Sequence, residues 1–155
     1  MLIKEIYNQH IETISVHDKI GDVVNKMFHK KFNGFVVLDD KKKVAGILSL
    51  QDIAGAVVPR QFKHNVAMAN AIYRRGFFYD ECARVKEKKV SDIMRQHFIS
   101  VSLDSNIMAV MTDFLNNDLY IVPVIEKNQL LGIVTRTEIK KALMDGMGVV
   151  HNEEL

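Results

Sequence analysis

The chain has 155 residues, of which 48% are hydrophobic and 26% are charged, and its formal net charge is +2. Such a composition is ordinary for a globular protein, and so small a charge does not argue for binding to nucleic acid or to an anionic membrane. The single cysteine, Cys82, excludes an internal disulfide, and no apolar run approaches the ~20 residues that span a bilayer. Acidic residues within positions 1–30 argue against a signal peptide, so we expect a cytoplasmic protein.

Residues 2–58 carry the pattern of one β-α-β-β-α unit. In chain order, the predicted elements are an extended piece at 12–16, a helix capped by His17 and Asp18, strands at 34–38 and 44–48, and a helix from Ser49 to about Val58. The strands are joined by a polar turn. The first helix is predicted to bury its apolar residues, which recur at helical spacing: Ile20, Val23, Val24, Met27 and Phe28.

Residues 59–88 form a segment that has no counterpart after the second repeat. Pro59 is predicted to end the preceding helix, because proline lacks the N–H that a helix interior requires. A further helix is expected from His64 to Arg75, with Gly76 as its stop or bend. The aromatic residues 77–79 are expected to pack under that helix, with an exposed partner patch as the alternative.

Residues 89–146 repeat the β-α-β-β-α pattern. In chain order, the predicted elements are an extended piece at 99–103, a helix capped by Asp104 and Ser105, strands at 119–125 and 130–134, and a helix from Thr135 to about Asp145. The first helix is predicted to bury a matching set of residues: Ile107, Val110, Met111, Phe114 and Leu115. The tail, residues 147–155, is expected to fray from Val149 onward.

One element recurs almost residue for residue. Gly46-Ile47-Leu48-Ser49-Leu50-Gln51-Asp52-Ile53 matches Gly132-Ile133-Val134-Thr135-Arg136-Thr137-Glu138-Ile139. The copies are related by an offset of 87 up to Val37 and Val124, and by an offset of 86 from Gly46 and Gly132 onward. The change of one residue falls in a polar turn, where a change of length costs little, and this supports a structural repeat.

The repeated unit resembles the CBS domain, which occurs in tandem as the CBS-domain pair or Bateman module. The resemblance rests on the Gly-apolar-apolar-Ser/Thr-x-x-acid element, on Ser91-Asp92-Ile93-Met94 and on Val122-Pro123-Val124, and it covers about residues 2–58 and 89–146. It implies an α+β fold in which two β-α-β-β-α repeats pack with pseudo-two-fold symmetry around two equivalent clefts. It also implies a regulatory module, often a dimer, that binds AMP, ADP, ATP or S-adenosylmethionine and has no chemistry of its own.

The repeated element suits such a ligand on physical grounds. If Ser49 and Thr135 begin helices, their hydroxyls and the free backbone N–H groups beside them face an anion. Asp52 and Glu138 would lie one turn further on, where a carboxylate can accept hydrogen bonds from ribose hydroxyls. The remaining candidates are the residues of two apolar base slots, Ile14, Phe35, Val36 and Ile47 in the first repeat and Val101, Ile121, Val122, Pro123 and Ile133 in the second, together with Thr13 and Ser100, beside which backbone groups would read the base edge.

A purely structural interpretation of the same element stays open. A Ser or Thr before a helix with an acid three residues later is also a capping box, and capping is compatible with ligand binding. The copies also differ, because the first has Asp52 but Val36 where the second has Pro123, and the second has Glu138 where the family usually has Asp. Glu138 either reaches a ribose or only caps its helix. We therefore expect the Asp52 cleft to be occupied in preference to the Glu138 cleft.

Several cations offer charge for a phosphate. Arg136 either meets a phosphate at the second site or is a solvated surface residue. The segment 59–88 adds Arg60, Lys63, His64, Arg74 and Arg75, which makes it a candidate switch element. Each of these side chains, taken singly, is expected to be a surface charge.

No other chemistry is indicated. The six histidines include no closely spaced ligand pair, no nucleophile elbow or phosphate-binding loop is present, and Cys82 lacks the local signature of a nucleophile. We therefore expect no metal site, no catalytic residue and no nucleic-acid partner. The expected function is a sensor that binds an adenosine-type ligand in the inter-repeat cleft and signals occupancy to a partner protein. The alternative is a dimerising scaffold whose clefts are empty.

Overall fold

The computed structural model describes residues 1–72 and 74–149. The predicted fraying of the tail falls on residues 150–155, apart from Val149, and these lie outside the described residues. The chain divides into two compact units, one made of Thr13–Gln96 and the other of Met1–Glu12 together with the chain from His97 onward. The compact units therefore differ from the sequence repeats, because the segment that opens each repeat is grouped with the body of the other.

The unit of residues 13–96 is a three-stranded sheet covered by helices. Its elements are β1 (Thr13–Ser15), α1 (Ile20–Lys30), β2 (Gly34–Leu38), β3 (Val44–Ser49), α2 (Leu50–Val57), α3 (Val66–Ala71) and α4 (Phe77–Lys86). The central strand β2 is parallel to β1 and antiparallel to β3. The core contains buried apolar residues from the sheet and from α1, α2 and α4, among them Ile14, Ile20, Val23, Phe35, Val37, Leu48, Ile53 and Val85.

The second unit has a similar arrangement, with two strands in its sheet instead of three. Its elements are α5 (Ile107–Asn117), β4 (Ile121–Glu126), β5 (Gln129–Thr135) and α6 (Arg136–Gly146). β4 is antiparallel to β5, and Val101 forms a parallel bridge to Val124 in the place that β1 takes in the other unit. The core contains Ile3, Val101, Ile107, Val110, Val122, Val124, Val134 and Ala142. The predicted α+β class and the order of elements in each repeat are confirmed.

The duplication extends to backbone detail. α1 and α5 end at equivalent left-handed residues, Lys31 with φ 58° and Asp118 with φ 50°. The register of each hairpin shifts at the equivalent point, after Val37 in one unit and after Val124 in the other. Eight residues separate the paired Val37 and Gly46, whereas seven separate the paired Val124 and Gly132, so the change of one residue falls within the hairpin, as the sequence predicts.

Two predicted helix caps are wrong. α1 begins after Lys19, and the carboxylate of Asp18 instead accepts the backbone N–H of Ser15 at 2.9 Å. α5 begins after Asn106, whose side chain caps the helix, while Ser105 closes the preceding turn. In both repeats the polar residues that the pattern favours as caps stabilise the turn that leads into the helix, because Asp and Ser side chains serve turns as well as helix starts.

The apolar stripes of α1 and α5 are only partly buried. Phe28 and Leu115, which occupy equivalent positions, are 80% and 85% exposed, and Val24 is also exposed. The prediction that these side chains belong to the core is wrong. Helical spacing identifies a broad apolar face, but each helix packs against its own unit through only part of that face.

The segment between the repeats differs most from its prediction. α2 ends at Val57, just before Pro59, as predicted. The expected helix over 64–75 is confined to α3, and Gly76, with φ 85°, precedes α4 instead of ending a helix. Glycine adopts a positive φ without a steric penalty, so Gly76 suits the turn that leads into α4. Phe77 packs against Phe62, whereas the next two aromatic residues in α4 are exposed.

α4 is fastened to α2 by a side chain that satisfies a helix end. A terminal amine of Arg84 donates to the carbonyl of Ala56 at 2.7 Å and also to Glu81. Carbonyls in the last turn of a helix lack helical partners, so this contact both caps α2 and positions α4. Among the described residues, no helix combines the length and the apolar character needed to cross a bilayer.

Candidate functional site

The repeated Ser/Thr-x-x-acid element forms a capping box at the start of α2. Ser49 is the N-cap, and its backbone N–H donates to Asp52 Oδ2 at 2.8 Å. The Ser49 hydroxyl donates to the same oxygen at 2.9 Å and accepts the backbone N–H of Asp52. The structural interpretation of this element is therefore correct, and one oxygen of the Asp52 carboxylate is engaged within its own turn.

The equivalent box at the start of α6 is buried more deeply. The backbone N–H and the hydroxyl of Thr135 donate to Glu138 Oε2 at 2.8 and 2.6 Å. Glu138 is only 1% exposed, although it carries a carboxylate. The longer side chain therefore reaches back to Thr135 as Asp52 reaches Ser49.

Arg95 supplies the main difference between the two boxes. Its Nε donates to the second oxygen of Asp52, Oδ1, at 2.7 Å. The side chain of Asp52 is 9% exposed and that of Arg95 is 47% exposed, so the pair lies at the boundary between protein and solvent. By the offset of 87, the residue at the equivalent position of the other repeat is Asn8, which is neutral.

The backbone of Arg95 is held over β3. Its N–H donates to the carbonyl of Ile47 at 2.8 Å, and the N–H of Ile47 donates to the carbonyl of Arg95 at 3.0 Å. Asn8 exchanges the same two bonds with Ile133, both at 2.9 Å. Each opening segment thus lies as an added bridge along the last strand of a unit.

These bridges explain the repeated glycines. A Cβ atom on Gly46 would lie 2.5 Å from the carbonyl oxygen of Arg95, and one on Gly132 would lie 2.5 Å from that of Asn8. Real Cβ atoms essentially never approach another heavy atom so closely. The glycine of the motif is required because a neighbouring backbone crosses it, which is an ordinary reason for glycine inside a strand.

Strand alternation divides the proposed base slot of the first repeat. Side chains alternate between the two faces of a sheet, and register partners share a face. Thr13, Val36 and Ile47 are register partners and lie on one face, as does Ser49. The other two proposed residues, Ile14 and Phe35, lie on the opposite face, within the hydrophobic core.

The second repeat divides in the same way. Ile121 pairs with Thr135 and Pro123 pairs with Ile133, so these four residues share a face. Ser100 precedes Val101 and is exposed. The core face carries Val101 and Val122. In each repeat, the hydroxyl residue that begins the helix therefore lies on the same sheet face as some residues of the proposed base slot. The other residues of that slot lie on the opposite face, in the core.

A polar cleft of about 500 Å³ lies beside Glu138. Thr137 and Lys141 of α6 line one side of it, and residues 6–10 of the opening segment line the other. Sequence reasoning did not find this cleft, because it depends on where residues 6–10 fold back. The only available signal was the equivalence of residues 6–10 with residues 93–97.

The cations predicted to meet a phosphate make other contacts or are exposed to solvent. Arg136 stacks over the ring of Tyr120, with its guanidinium carbon 4.4 Å from the ring centroid, and lies 3.9 Å from Asp118. Arg74 donates to Asp80 at 3.2 Å and lies over Phe77. The remaining cations of the segment 59–88, namely Arg60, Lys63, His64 and Arg75, are exposed. Within residues 1–72 and 74–149, no cluster of three or more His, Cys, Asp or Glu side chains is arranged to hold a metal ion.

Comparison with known proteins gives a family and a fold. An AMP complex of CBSX2 superposes with a TM-score of 0.70 at 17% identity, covering 94% of this chain and 98% of that one. "Uncharacterized protein MJ1426" of Methanocaldococcus jannaschii is 26% identical over 155 residues, or 93% of this chain and 92% of that protein. A stretch of 45 residues is 44% identical to the 5'-AMP-activated protein kinase subunit gamma of Dictyostelium discoideum, covering 29% of this chain and 8% of that subunit.

The family model described as the CBS domain matches the chain twice. The matches cover residues 3–59 and residues 90–145, which together make up more than half of the chain. Both Ser/Thr-x-x-acid boxes, both crossed glycines and both hairpins fall within these matches. The chain belongs to the CBS domain family and carries two CBS domains in tandem.

Proposed function

We propose that this protein is a regulatory module that binds an adenosine-containing nucleotide and signals its occupancy to a partner protein. The observation that carries the proposal is the position of the Ser49–Asp52 pair, at a helix start and beside the sheet face of Thr13, Val36 and Ile47. The similarity to CBSX2, which has been crystallised with AMP, and to a kinase subunit named for AMP supports the choice of ligand.

The proposed ligand would use each part of this surface differently. The base would lie over the edge of this sheet face, where backbone groups beside the half-buried Thr13 would read its edge, and it would reach the buried Val36 and Ile47 only after a local opening. A ribose hydroxyl would donate to Asp52 Oδ1, which has a lone pair beyond the one that Arg95 engages, whereas Oδ2 already accepts two hydrogen bonds from Ser49. Capping and ribose binding are then compatible, because capping engages Oδ2 and leaves one lone pair on Oδ1 for the ligand.

The second repeat offers a related proposed site. Its residues would be Ser100, Ile121, Pro123, Ile133, Thr135, Arg136 and Glu138. Glu138 is 1% exposed, so a ligand could reach its carboxylate only after a local opening. We therefore propose that the ligand occupies the Asp52 site before the Glu138 site.

The proposal is tested by thermal unfolding of protein stripped of co-purified small molecules. AMP, ADP, ATP and S-adenosylmethionine would each be added at increasing concentration, with GMP as a control for the base. A ligand at about 100 times its Kd stabilises the folded state by about 2.7 kcal/mol, and this raises the melting temperature measurably. If none of the four adenosine ligands raises it, the proposal fails.

A scaffold with unoccupied clefts is the second candidate function. It is favoured by the engagement of Asp52 with both Ser49 and Arg95, and by the burial of Glu138 in its own capping box. In that case the carboxylates serve the fold alone. The thermal experiment separates the candidates, because a scaffold would show no response to any nucleotide.

We further propose that the protein is a homodimer. α1 and α5 expose large apolar side chains, Phe28 and Leu115, at equivalent positions of the duplicated chain. An apolar residue exposed in the same place twice suits an isologous interface between two copies, in which a surface packs against its own equivalent. The effector protein would contact the segment 59–88, which also exposes Phe78 and Tyr79.

A further inference from the structure

We propose that Arg95 is the residue that recognises phosphate at the Asp52 site. The site would then select adenosine nucleotides, which carry an anion, against adenosine and against S-adenosylmethionine, which carries a net positive charge. This inference rests on the proposed function and adds to it a specificity-determining residue.

The ion pair with Asp52 uses only part of the arginine. Nε donates to Asp52 Oδ1, and the two terminal amines of the guanidinium lie outside that contact. An arginine presents five N–H donors in a planar fork, so one edge can hold a carboxylate while the other holds a phosphate. With nearly half of its side chain exposed, Arg95 is accessible to a ligand that approaches Asp52 from solvent.

Arg95 is also held in position before any ligand arrives. Two hydrogen bonds with Ile47 fix the backbone of Arg95. That backbone already crosses close over Gly46, so it cannot move nearer to β3. Its side chain is oriented by Asp52. A cation oriented in advance loses less conformational entropy on binding than a free surface arginine does.

The start of α2 offers less to a phosphate than a helix N-terminus usually does. The backbone N–H of Leu50 donates to the carbonyl of Asn33 at 2.8 Å, and that of Asp52 is engaged by the Ser49 hydroxyl. Two of the donors that commonly bind an anion are therefore occupied. The charge of a phosphate must then be met by a side chain, and Arg95 is the one that contacts the proposed ribose-binding carboxylate.

Charge balance gives the direction of selectivity. Asp52 and Arg95 together are neutral, so a nucleotide phosphate adds an anion next to a half-exposed guanidinium. Adenosine brings no charge to that guanidinium, and a cationic ligand is repelled by it. Hydrogen bonds between charged partners are about twice as strong as those between neutral ones, so the phosphate contributes much of the affinity.

The experiment compares AMP, adenosine and S-adenosylmethionine by calorimetric titration of the ligand-stripped full chain. Wild-type protein should bind AMP about 10-fold to 100-fold more tightly than adenosine, as expected for a charge-assisted contact. Arg95→Gln, which keeps donors for Asp52 but removes the charge, should bring the two affinities to within about threefold of each other while adenosine still binds. Arg95→Lys should retain part of the preference, and it keeps the test informative if the glutamine variant does not fold.

The control is Asn8→Ala, at the equivalent position of the other repeat, which should leave the AMP-to-adenosine ratio unchanged. The inference is overturned, with the proposed function intact, if AMP binds and the ratio survives in both Arg95 variants. It also fails if Asn8→Ala lowers the ratio as much as Arg95→Gln does. If only ADP or ATP binds, that nucleotide takes the place of AMP in the comparison with adenosine. If wild-type protein binds none of AMP, ADP, ATP and S-adenosylmethionine, the proposed function fails and this inference fails with it.

Discussion

Arg95 and Asp52, 43 positions apart in the sequence, form an ion pair in which Nε lies 2.7 Å from Oδ1. The same Arg95 crosses Gly46 through its backbone, so one residue links the glycine and the carboxylate of the repeated element. The element therefore has a role in packing and in helix capping. Its glycine makes room for the backbone of Arg95, and its hydroxyl and acid cap the start of a helix.

The crossing predicts that Gly46→Ala is destabilising. The added Cβ would meet the Arg95 carbonyl at 2.5 Å, and a backbone atom inside a paired bridge cannot move aside as a flexible side chain can. Overpacking of this kind typically costs about 1–3 kcal/mol. The free energy of unfolding in urea, measured at matched protein concentration, tests the prediction.

Gly55→Ala is the control for that substitution. Gly55 lies within α2, and a Cβ there would have nothing within 4 Å. Alanine in a helix is favoured over glycine by up to about 1 kcal/mol, so this variant should be as stable as the wild type or more so. Equal stabilities of the two alanine variants would show that the backbone crossing does not constrain Gly46.

The second capping box predicts a stability role for Glu138. Glu138→Ala leaves the backbone N–H of the half-buried Thr135 without its side-chain acceptor and opens the capping box. Loss of a helix cap costs about 0.5–2 kcal/mol. Glu138→Gln keeps an oxygen that accepts from Thr135, so it should cost clearly less. Chemical denaturation measures the free energy of unfolding of both variants. An alanine variant as stable as the glutamine variant would show that this capping box does not stabilise the fold.

The exposed faces of α1 and α5 predict the oligomeric state. Light scattering of the wild type should give twice the chain mass of 17.7 kDa. Phe28→Glu or Leu115→Glu should shift the mass towards that of one chain, because a charge would then face an apolar interface. Substitutions at such exposed positions usually change the stability of the fold by less than about 0.5 kcal/mol, so thermal unfolding should be little altered.

Gln129→Glu controls for the added charge, since Gln129 is exposed and lies at the start of β5, in neither of these helices. It should leave the mass of the assembly unchanged. A wild-type protein that already has the mass of one chain at micromolar concentration would contradict the proposed dimer.

Local features of the chain were predictable from sequence. The bounds of β2 agree with the prediction, α2 follows Ser49, and α2 ends before Pro59. These features depend on signals within a few residues, namely alternating apolar residues, a hydroxyl with an acid three positions on, and a proline. The duplication strengthened the first two signals, because those patterns occur twice.

Features that depend on distant partners were not predictable. Arg95 reaches Asp52 only because its backbone is paired with Ile47, and the sequence indicates neither contact. The grouping of Phe35 with Val36 in one base slot was, by contrast, avoidable from the sequence, because adjacent residues of a strand point to opposite faces. The exposure of Phe28 depends on which part of α1 packs on the unit, and periodicity alone does not determine that.

The most direct test of the account is calorimetric titration of ligand-stripped protein with AMP, comparing wild type with Asp52→Ala. Asp104→Ala is the matched control, because Asp104 is an exposed carboxylate whose contact is an ion pair with Lys4. If Asp52 holds the ribose, wild type and Asp104→Ala should bind AMP equally, and Asp52→Ala, shown to be folded by circular dichroism, should bind it at least about tenfold more weakly. Folded Asp52→Ala that binds AMP with wild-type affinity would contradict the account.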